Sequence, residues 1–245
     1  MKINKQNNIY TIVYITILVI VVGAVLAITS MALKDKQLTN ADADKMKQIL
    51  ASVHVKADDN NVVEKYNQII TETLVVDAEG KVIGHDAFDV NVQEQAKIKD
   101  IGQRMLPVYI CTLADNEVKY IVPVAGNGLW GPIWGYISLN QDGKTIYGAY
   151  FAHQSETPGL GAEIEKPDFC NQFDGKQIFK NDRFMPVAVI KKGQKAPNGE
   201  DFVDAKSGAT ITSKGVGAMI SDCLSPYEAY LKKIGDNKAE THKNS

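Results

Sequence analysis

Net charge is nearly absent from this chain. Its 245 residues carry 27 Lys+Arg against 29 Asp+Glu, so it presents no global basic field for nucleic acid, and no nucleic-acid motif stands in for one. Cysteine is almost missing. Cys111, Cys170 and Cys223 lie far apart with no CxxC pair, which excludes a full disulfide framework and leaves room for one bridge at most. Four scattered histidines lack metal-ligand spacing, so no protein-bound metal is expected. Internal repeats are absent too. The longest gap is in charge: none occurs between Gln6 and Leu33.

Within that gap Ile9 to Ala27 is almost wholly apolar apart from Thr11 and Thr16. About 20 helical residues, rising about 1.5 Å each, cross the roughly 30 Å hydrocarbon core of a bilayer. One transmembrane helix is therefore predicted over 9–33, after an N-terminal tail at 1–8. Tyr10 and Tyr14 fall near the entry interface. The run is longer than the roughly 7–15 apolar residues of a signal peptide, and Ala27-Ile28-Thr29-Ser30 is a poor cleavage site, so a retained anchor is favoured. Lys2 and Lys5 on one side face Lys34, Lys36, Lys45 and Lys47 on the other; this balance does not support an exported domain.

A connecting region is predicted over 34–100, a C-terminal domain over 101–235 and a tail over 236–245. In the connector, Met46, Ile49, Leu50 and Val53 have the spacing of an amphipathic helix over Ala41 to Val55. Val62 to Ile70 reads as a second short helix, and Leu74 to Gly84 as a hairpin around an acidic, Gly-containing turn. Asp86 to Asp100 carries no strong signal. Strands follow at Pro107–Cys111, at Val118–Val124, after the Gly-rich loop that starts at Gly126, at Thr145–Ala152 and at Phe184–Lys191. Phe169 to Phe173 reads as a short helix, and Ser213 to Lys233 as a helix interrupted near Pro226. The fold class is α+β: a single N-terminal transmembrane helix, then a domain with an antiparallel-rich sheet flanked by helices.

The chemistry concentrates in Asp204-Ala205-Lys206-Ser207-Gly208-Ala209-Thr210-Ile211-Thr212-Ser213, with four hydroxyls, three small residues and one carboxylate. Small residues let backbone approach a ligand, and the N–H groups that open a helix favour a phosphate. Val216, Met219 and Ile220 have the spacing of such a helix on a core. The competing interpretation is an ordinary polar turn with a Ser or Thr cap.

Asp-x-x-Ser-Gly-Ala-Thr followed by x-Thr-Ser resembles the flavinylation motif of the FMN-binding domain family. The resemblance implies FMN joined through its phosphate, as a phosphodiester, to Thr210, with Asp204, Ser207, Gly208 and Ala209 completing the motif. A β-branched acceptor is stiff at χ1 and helps to fix the attached phosphate. Gly128-Leu129-Trp130-Gly131-Pro132-Ile133 and Glu156-Thr157-Pro158-Gly159-Leu160-Gly161 resemble two further segments, those of the C-subunit family of sodium-translocating NADH:quinone oxidoreductases. The G subunits of Rnf complexes share the Glu-Thr-Pro-Gly-Leu-Gly loop and the flavinylated Thr; the Gly-Leu-Trp-Gly-Pro-Ile-Trp-Gly segment favours the C-subunit family.

The resemblance implies an electron carrier that is not catalytic alone, relaying electrons between NADH and ubiquinone in a sodium-exporting complex. Its partners are the other subunits and a flavin transferase. Its place is the bacterial inner membrane, with the flavin domain outside the cytoplasm. An isoalloxazine ring needs an apolar face and a few polar groups. Leu129, Trp130 and Leu160 supply the face, Glu156 and Thr157 the polar edges, and Gly159 the freedom of the loop. For Trp130 and Trp134 the alternative is core packing, and for Glu156 a solvated loop. Lys191 and Lys192 offer positive charge to the phosphate, or are simply a solvated turn. His153, at a strand end, is not needed as a base.

Two other classes compete. A membrane-tethered binding protein without redox function predicts no flavin. A stand-alone NADH-dependent flavin reductase has only Gly126, Gly128 and Gly131 in its favour, a GxGxxG match followed by Pro132 and a strand where the dinucleotide fingerprint needs a helix.

Overall fold

The computed structural model describes the backbone of residues 8–196 and 198–243. Lys2, Lys5, most of the expected N-terminal tail and the last two residues of the C-terminal tail lie outside the described residues. The chain divides into two compact units, Met1–Lys45 and Met46–Ser245.

The first unit is helical from Asn8 and is long and apolar enough to cross a membrane. Its helix, α1, spans Asn8–Ala51 without a break. The expected anchor and amphipathic connector are therefore one helix. Residues 34–40 hold neither Gly nor Pro, so nothing interrupts the hydrogen-bond ladder between them. Thr16 and Thr29 donate their hydroxyls to Ile12 and Val25 carbonyls at 2.9 and 2.8 Å, so neither presents an unpaired hydroxyl to lipid.

The second unit is built on a six-stranded antiparallel sheet. Its strands in spatial order are β2 (Val82–Gly84), β1 (Ile70–Val76), β3 (Leu106–Thr112), β4 (Val118–Asn127), β5 (Pro132–Leu139) and β6 (Ile146–His153). Helix α2 (Val62–Ile69) runs into β1, and α3 (Val92–Lys97) occupies the stretch without a sequence signal. After β6 come α4 (Pro167–Cys170), a hairpin of β7 (Phe179–Lys180) and β8 (Arg183–Phe184), and a parallel pair of β9 (Ala188–Ile190) with β10 (Phe202–Asp204). The single strand expected over Phe184–Lys191 is thus two short ones, parted at Met185–Val187, where Pro186 lacks a ladder donor. Helices α5 (Thr210–Leu224) and α6 (Glu228–Lys243) close the fold, separated by a 3-10 turn at Ser225–Tyr227 that contains Pro226.

Alternation along the strands divides the buried residues between two faces. Val108, Val122, Val124, Ile133, Ile137 and Phe151 join Val216, Ile220 and Leu224 of α5 in the main core. Phe173 meets Phe151 and Phe169 edge to face and Phe151 is tilted against Phe169, with centroids 5.1–5.9 Å apart. Tyr109, Ile121, Tyr136 and Ser138 occupy the other face with Ile49, Leu50 and Val53. There Ser138 donates to the Ser52 carbonyl at 2.6 Å, and Trp134 donates from Nε1 to Gln48 at 2.9 Å. α1 ends in a Schellman motif: Val55 N–H bonds to Leu50 O and His54 N–H to Ala51 O, both at 3.0 Å, with His54 at φ 61°. All three cysteines are free and buried, and burial pushes Cys111 and Cys170 up to about 11.

This packing can be tested at two residues. Phe151→Ala empties the centre of the aromatic cluster and should cost about 3–5 kcal/mol in denaturant unfolding of the detergent-solubilised chain. Asp201, just before β10, binds Lys180 at 2.9 Å and the Gln177 N–H at 2.7 Å. Burial works to raise its carboxyl, but these partners outweigh burial and hold it below the ordinary value. Its stabilisation is then present above the unfolded carboxylate range, about 3.9, and is lost as pH falls through the lower folded value. Asp201→Asn should flatten the loss of melting temperature measured below about pH 4.

Candidate functional site at the start of helix α5

The motif opens where β10 stops. Asp204 is tied to Gln172 through its backbone, N–H to Oε1 at 2.8 Å and carbonyl from Nε2 at 3.5 Å. Ala205 N–H bonds to Ile190 O at 2.7 Å, closing the β9–β10 pair. The next turn needs glycine at 208 for two reasons. Its φ is +75°, and a Cβ there would lie 2.7 Å from Leu160 Cδ2. Ala209 N–H bonds to Lys206 O at 3.1 Å, and Ser213 N–H to Ala209 O at 2.8 Å opens the helix. Helix α5 therefore starts at Thr210, three residues before the expected Ser213.

This start sorts the four hydroxyls. Thr212 and Ser213 are buried; Thr212 donates to Glu156 Oε2 at 2.6 Å and Ser213 Oγ accepts the Lys206 N–H at 3.1 Å. Ser207 and Thr210 are exposed. Among the described residues no acceptor meets the N–H groups of Thr210, Ile211 and Thr212, and no side chain caps the helix. An exposed hydroxyl thus stands on the first residue of a helix whose N-terminal dipole and donors are open to an anion. Beside it, Lys206 pairs with Asp168 and holds that carboxyl below its ordinary value.

Glu156 joins this helix end to two loops. It is 4% exposed and uses both carboxylate oxygens: Oε2 for Thr212, and Oε1 for the Trp130 N–H at 2.8 Å. A Cβ at Gly161 would lie 2.1 Å from Oε2, and one at Gly128 2.4 Å from Oε1. Ser155 adds a hydroxyl bond to Trp130 O at 3.0 Å, and the Glu156 N–H donates to His153 Nδ1 at 3.2 Å. Expected at the polar edge of a ligand, the Glu156 carboxylate instead lies behind the loops, because two protein donors satisfy it there.

Outside the clamp the surface is apolar. Leu129, Trp130, Leu160 and Ile211 are 47%, 65%, 43% and 58% exposed, an unusual grouping for large side chains around one helix start. The two tryptophans part company here. Trp134 follows strand alternation to Gln48, whereas Trp130 sits in the β4–β5 loop with its indole in solvent. Thr157 and Gly159, at φ +76°, are exposed on the turn that presents Leu160. Lys192 is exposed on the turn after β9, and among the described residues its ammonium has no partner; the β9–β10 pairing of Ile190 with Asp204 and the Ala205 N–H to Ile190 O bond link its strand to the motif. Gly126, Gly128 and Gly131 lead into β5 rather than a helix, so they form no dinucleotide fingerprint. Grooves of about 390 and 600 Å³ flank α5, and neither is lined by Thr210. The roles of Thr212, Ser213, Gln172 and Ser155 were not anticipated; the motif's x-Thr-Ser ending was the one available sign of the first two.

Comparison with known proteins follows the same lines. Residues 128–225 match the FMN-binding domain family. The C subunit of the Na(+)-translocating NADH-quinone reductase of Vibrio anguillarum is 32% identical over 231 residues, covering 88% of this chain and 90% of the relative. That of Chlamydia caviae is 30% identical, covering 82% and 75%. The crystal structure of the corresponding Parabacteroides distasonis protein shares 46% identity and a TM-score of 0.76, over 81% of this chain and 96% of that one. Shewanella oneidensis NqrC, at 23% identity and a TM-score of 0.66 over 80% and 99%, shares the fold. The chain belongs to the NqrC family, the C subunits of Na(+)-translocating NADH-quinone reductases.

Proposed function

We propose that this chain is the FMN-carrying electron-relay subunit of a membrane-bound, sodium-translocating NADH:quinone oxidoreductase, with FMN held as a phosphodiester on Thr210. The observation that carries this reading is the exposed Thr210 hydroxyl at an uncapped helix N-terminus, beside an apolar shelf of Leu129, Trp130 and Leu160. The residues suit the cofactor at both ends. The open N–H groups of α5 would receive the phosphate, and the shelf would take the flat ring.

Bound FMN would supply the redox chemistry, while the protein fixes its place and tunes its potential. Ser207, Gly208 and Ala209 would bring backbone close to the phosphate, and Thr157 would meet a polar edge. Lys192 would add positive charge nearby. Electrons would pass from a neighbouring redox centre and on toward quinone, coupled to sodium export. The other subunits would hold those centres, and a flavin transferase would install the FMN. The domain would lie on the extracytoplasmic side of the bacterial inner membrane, anchored by α1.

The test is co-expression of the full chain with a flavin transferase, followed by peptide mass spectrometry and in-gel flavin fluorescence. FMN should appear on the Thr210 peptide and vanish in Thr210→Val. That substitution, at an exposed site, should change stability by no more than about 0.5 kcal/mol. Ser207→Ala, removing the other exposed hydroxyl, should keep the FMN. An unmodified wild-type chain, with the transferase active on a control substrate, would refute the covalent reading.

A further inference from the structure

We infer that Glu156 is the positioning residue of the flavin site, a buried latch that fixes the ring-facing loop against the phosphate-facing helix end without touching the flavin. The inference rests on Thr210 as the flavin carrier. Thr210 and Trp130 belong to separate elements, the first turn of α5 and the β4–β5 loop. A cofactor anchored on one and stacked on the other requires their separation to be set. Glu156, from a third segment, bonds to both: 2.6 Å to the Thr212 hydroxyl, two residues after the anchor, and 2.8 Å to the Trp130 backbone N–H.

The surroundings are shaped around that carboxylate. Gly128 and Gly161 leave it space that a Cβ on either would remove. Burial to 4% makes its geometry exacting, since a buried acceptor deprived of its donor is strongly disfavoured. The side-chain length is specific as well. Aspartate, one methylene shorter, would not span the two donors. Glutamine keeps an acceptor for Trp130 N–H and offers Thr212 an amide whose hydroxyl partner can accept. Glutamine therefore preserves the latch while removing the charge, and alanine removes both tethers. The pairing of Glu156 with Gly161 also predicts that Gly161→Ala, which displaces the carboxylate, acts like Glu156→Ala.

The experiment uses the full chain co-expressed with a flavin transferase. Attachment is scored by intact mass, and ring placement by the anisotropy of the attached FMN and its quenching by the Trp130 indole. Wild type and Glu156→Gln should both show quenched, slowly tumbling flavin. Glu156→Ala and Gly161→Ala should still carry FMN on Thr210, with fluorescence several-fold brighter and anisotropy reduced. Thr212→Val, which cuts one tether and leaves the carboxylate in place, should lie between them and serves if Glu156→Ala does not fold. A parallel arm reads Trp130 anisotropy in flavin-free protein in a Trp134→Phe background, where the same order is expected. Wild-type values in both arms for folded Glu156→Ala or Thr212→Val would overturn the latch. The expected order in the tryptophan arm, with no FMN on wild type, would support the loop latch and overturn its flavin role together with the Thr210 reading.

Discussion

One carboxylate holds the candidate site together. Glu156 lies below the surface, with Thr212 on one oxygen and Trp130 N–H on the other; the β5–β6 ladder joins the Trp130 and Glu156 loops, and the carboxylate ties both to the first turn of α5, which belongs to no strand. Hydrogen bonds to a charged group are stronger than neutral ones, and a buried carboxylate left unpaired is costly. The Glu156 carboxylate therefore couples the first turn of α5 to the two loops that the sheet already holds side by side. This arrangement also leaves the outer faces of Leu129, Trp130 and Leu160 uncommitted to the core, and so available.

The latch acts only because α5 lies so close to β4 and its loop. A Cβ at Gly215 would stand 2.4 Å from Asn127 O, and one at Gly126 would stand 2.8 Å from Met219 Cβ. Cys223 continues the contact, its thiol near both Ala125 N and O at 3.4 and 3.2 Å. Small residues on both surfaces draw the helix down onto the strand, and this descent carries Thr212 within reach of Glu156. The glycines of the Gly-rich loop thus serve the approach of helix to sheet and of carboxylate to backbone, not the recognition of a dinucleotide.

Much of this was legible in the sequence where the signal is periodic or local. Alternating apolar residues around turn chemistry marked β3, β4 and β6, and the uncharged run marked the first part of α1. The segment from Asp204 to Ser213 declared itself by composition and by its resemblance to a flavinylation motif. Three things were hidden because they depend on contacts distant in sequence. Glu156 looks like any loop carboxylate until Trp130 and Thr212, 26 and 56 residues away, converge on it. Trp130 and Trp134 look alike and share the parity of Tyr136 and Ser138; they part because β5 begins at Pro132, which leaves Trp130 in the loop and puts Trp134 on the sheet face that bonds Gln48. The expected start of α5 falls too late because Thr210, Ile211 and Thr212 are all β-branched and weak helix formers. The Thr212 hydroxyl donating to Glu156 and the Lys206 N–H donating to Ser213 Oγ hold that turn.

The exposure of the shelf bears on the kind of protein this is. An enzyme that acts on a small diffusible substrate usually surrounds its cofactor in a cleft that excludes water. Here Trp130 is 65% and Leu129 47% exposed, and the flanking grooves do not include Thr210. A flavin laid on this shelf would keep one face open. That suits a carrier whose electrons arrive from and leave for centres on other subunits, because the open face admits a protein surface more readily than a buried pocket would. With FMN on Thr210, the open backbone donors and apolar side chains around it would serve placement, and the electron chemistry would belong to the cofactor.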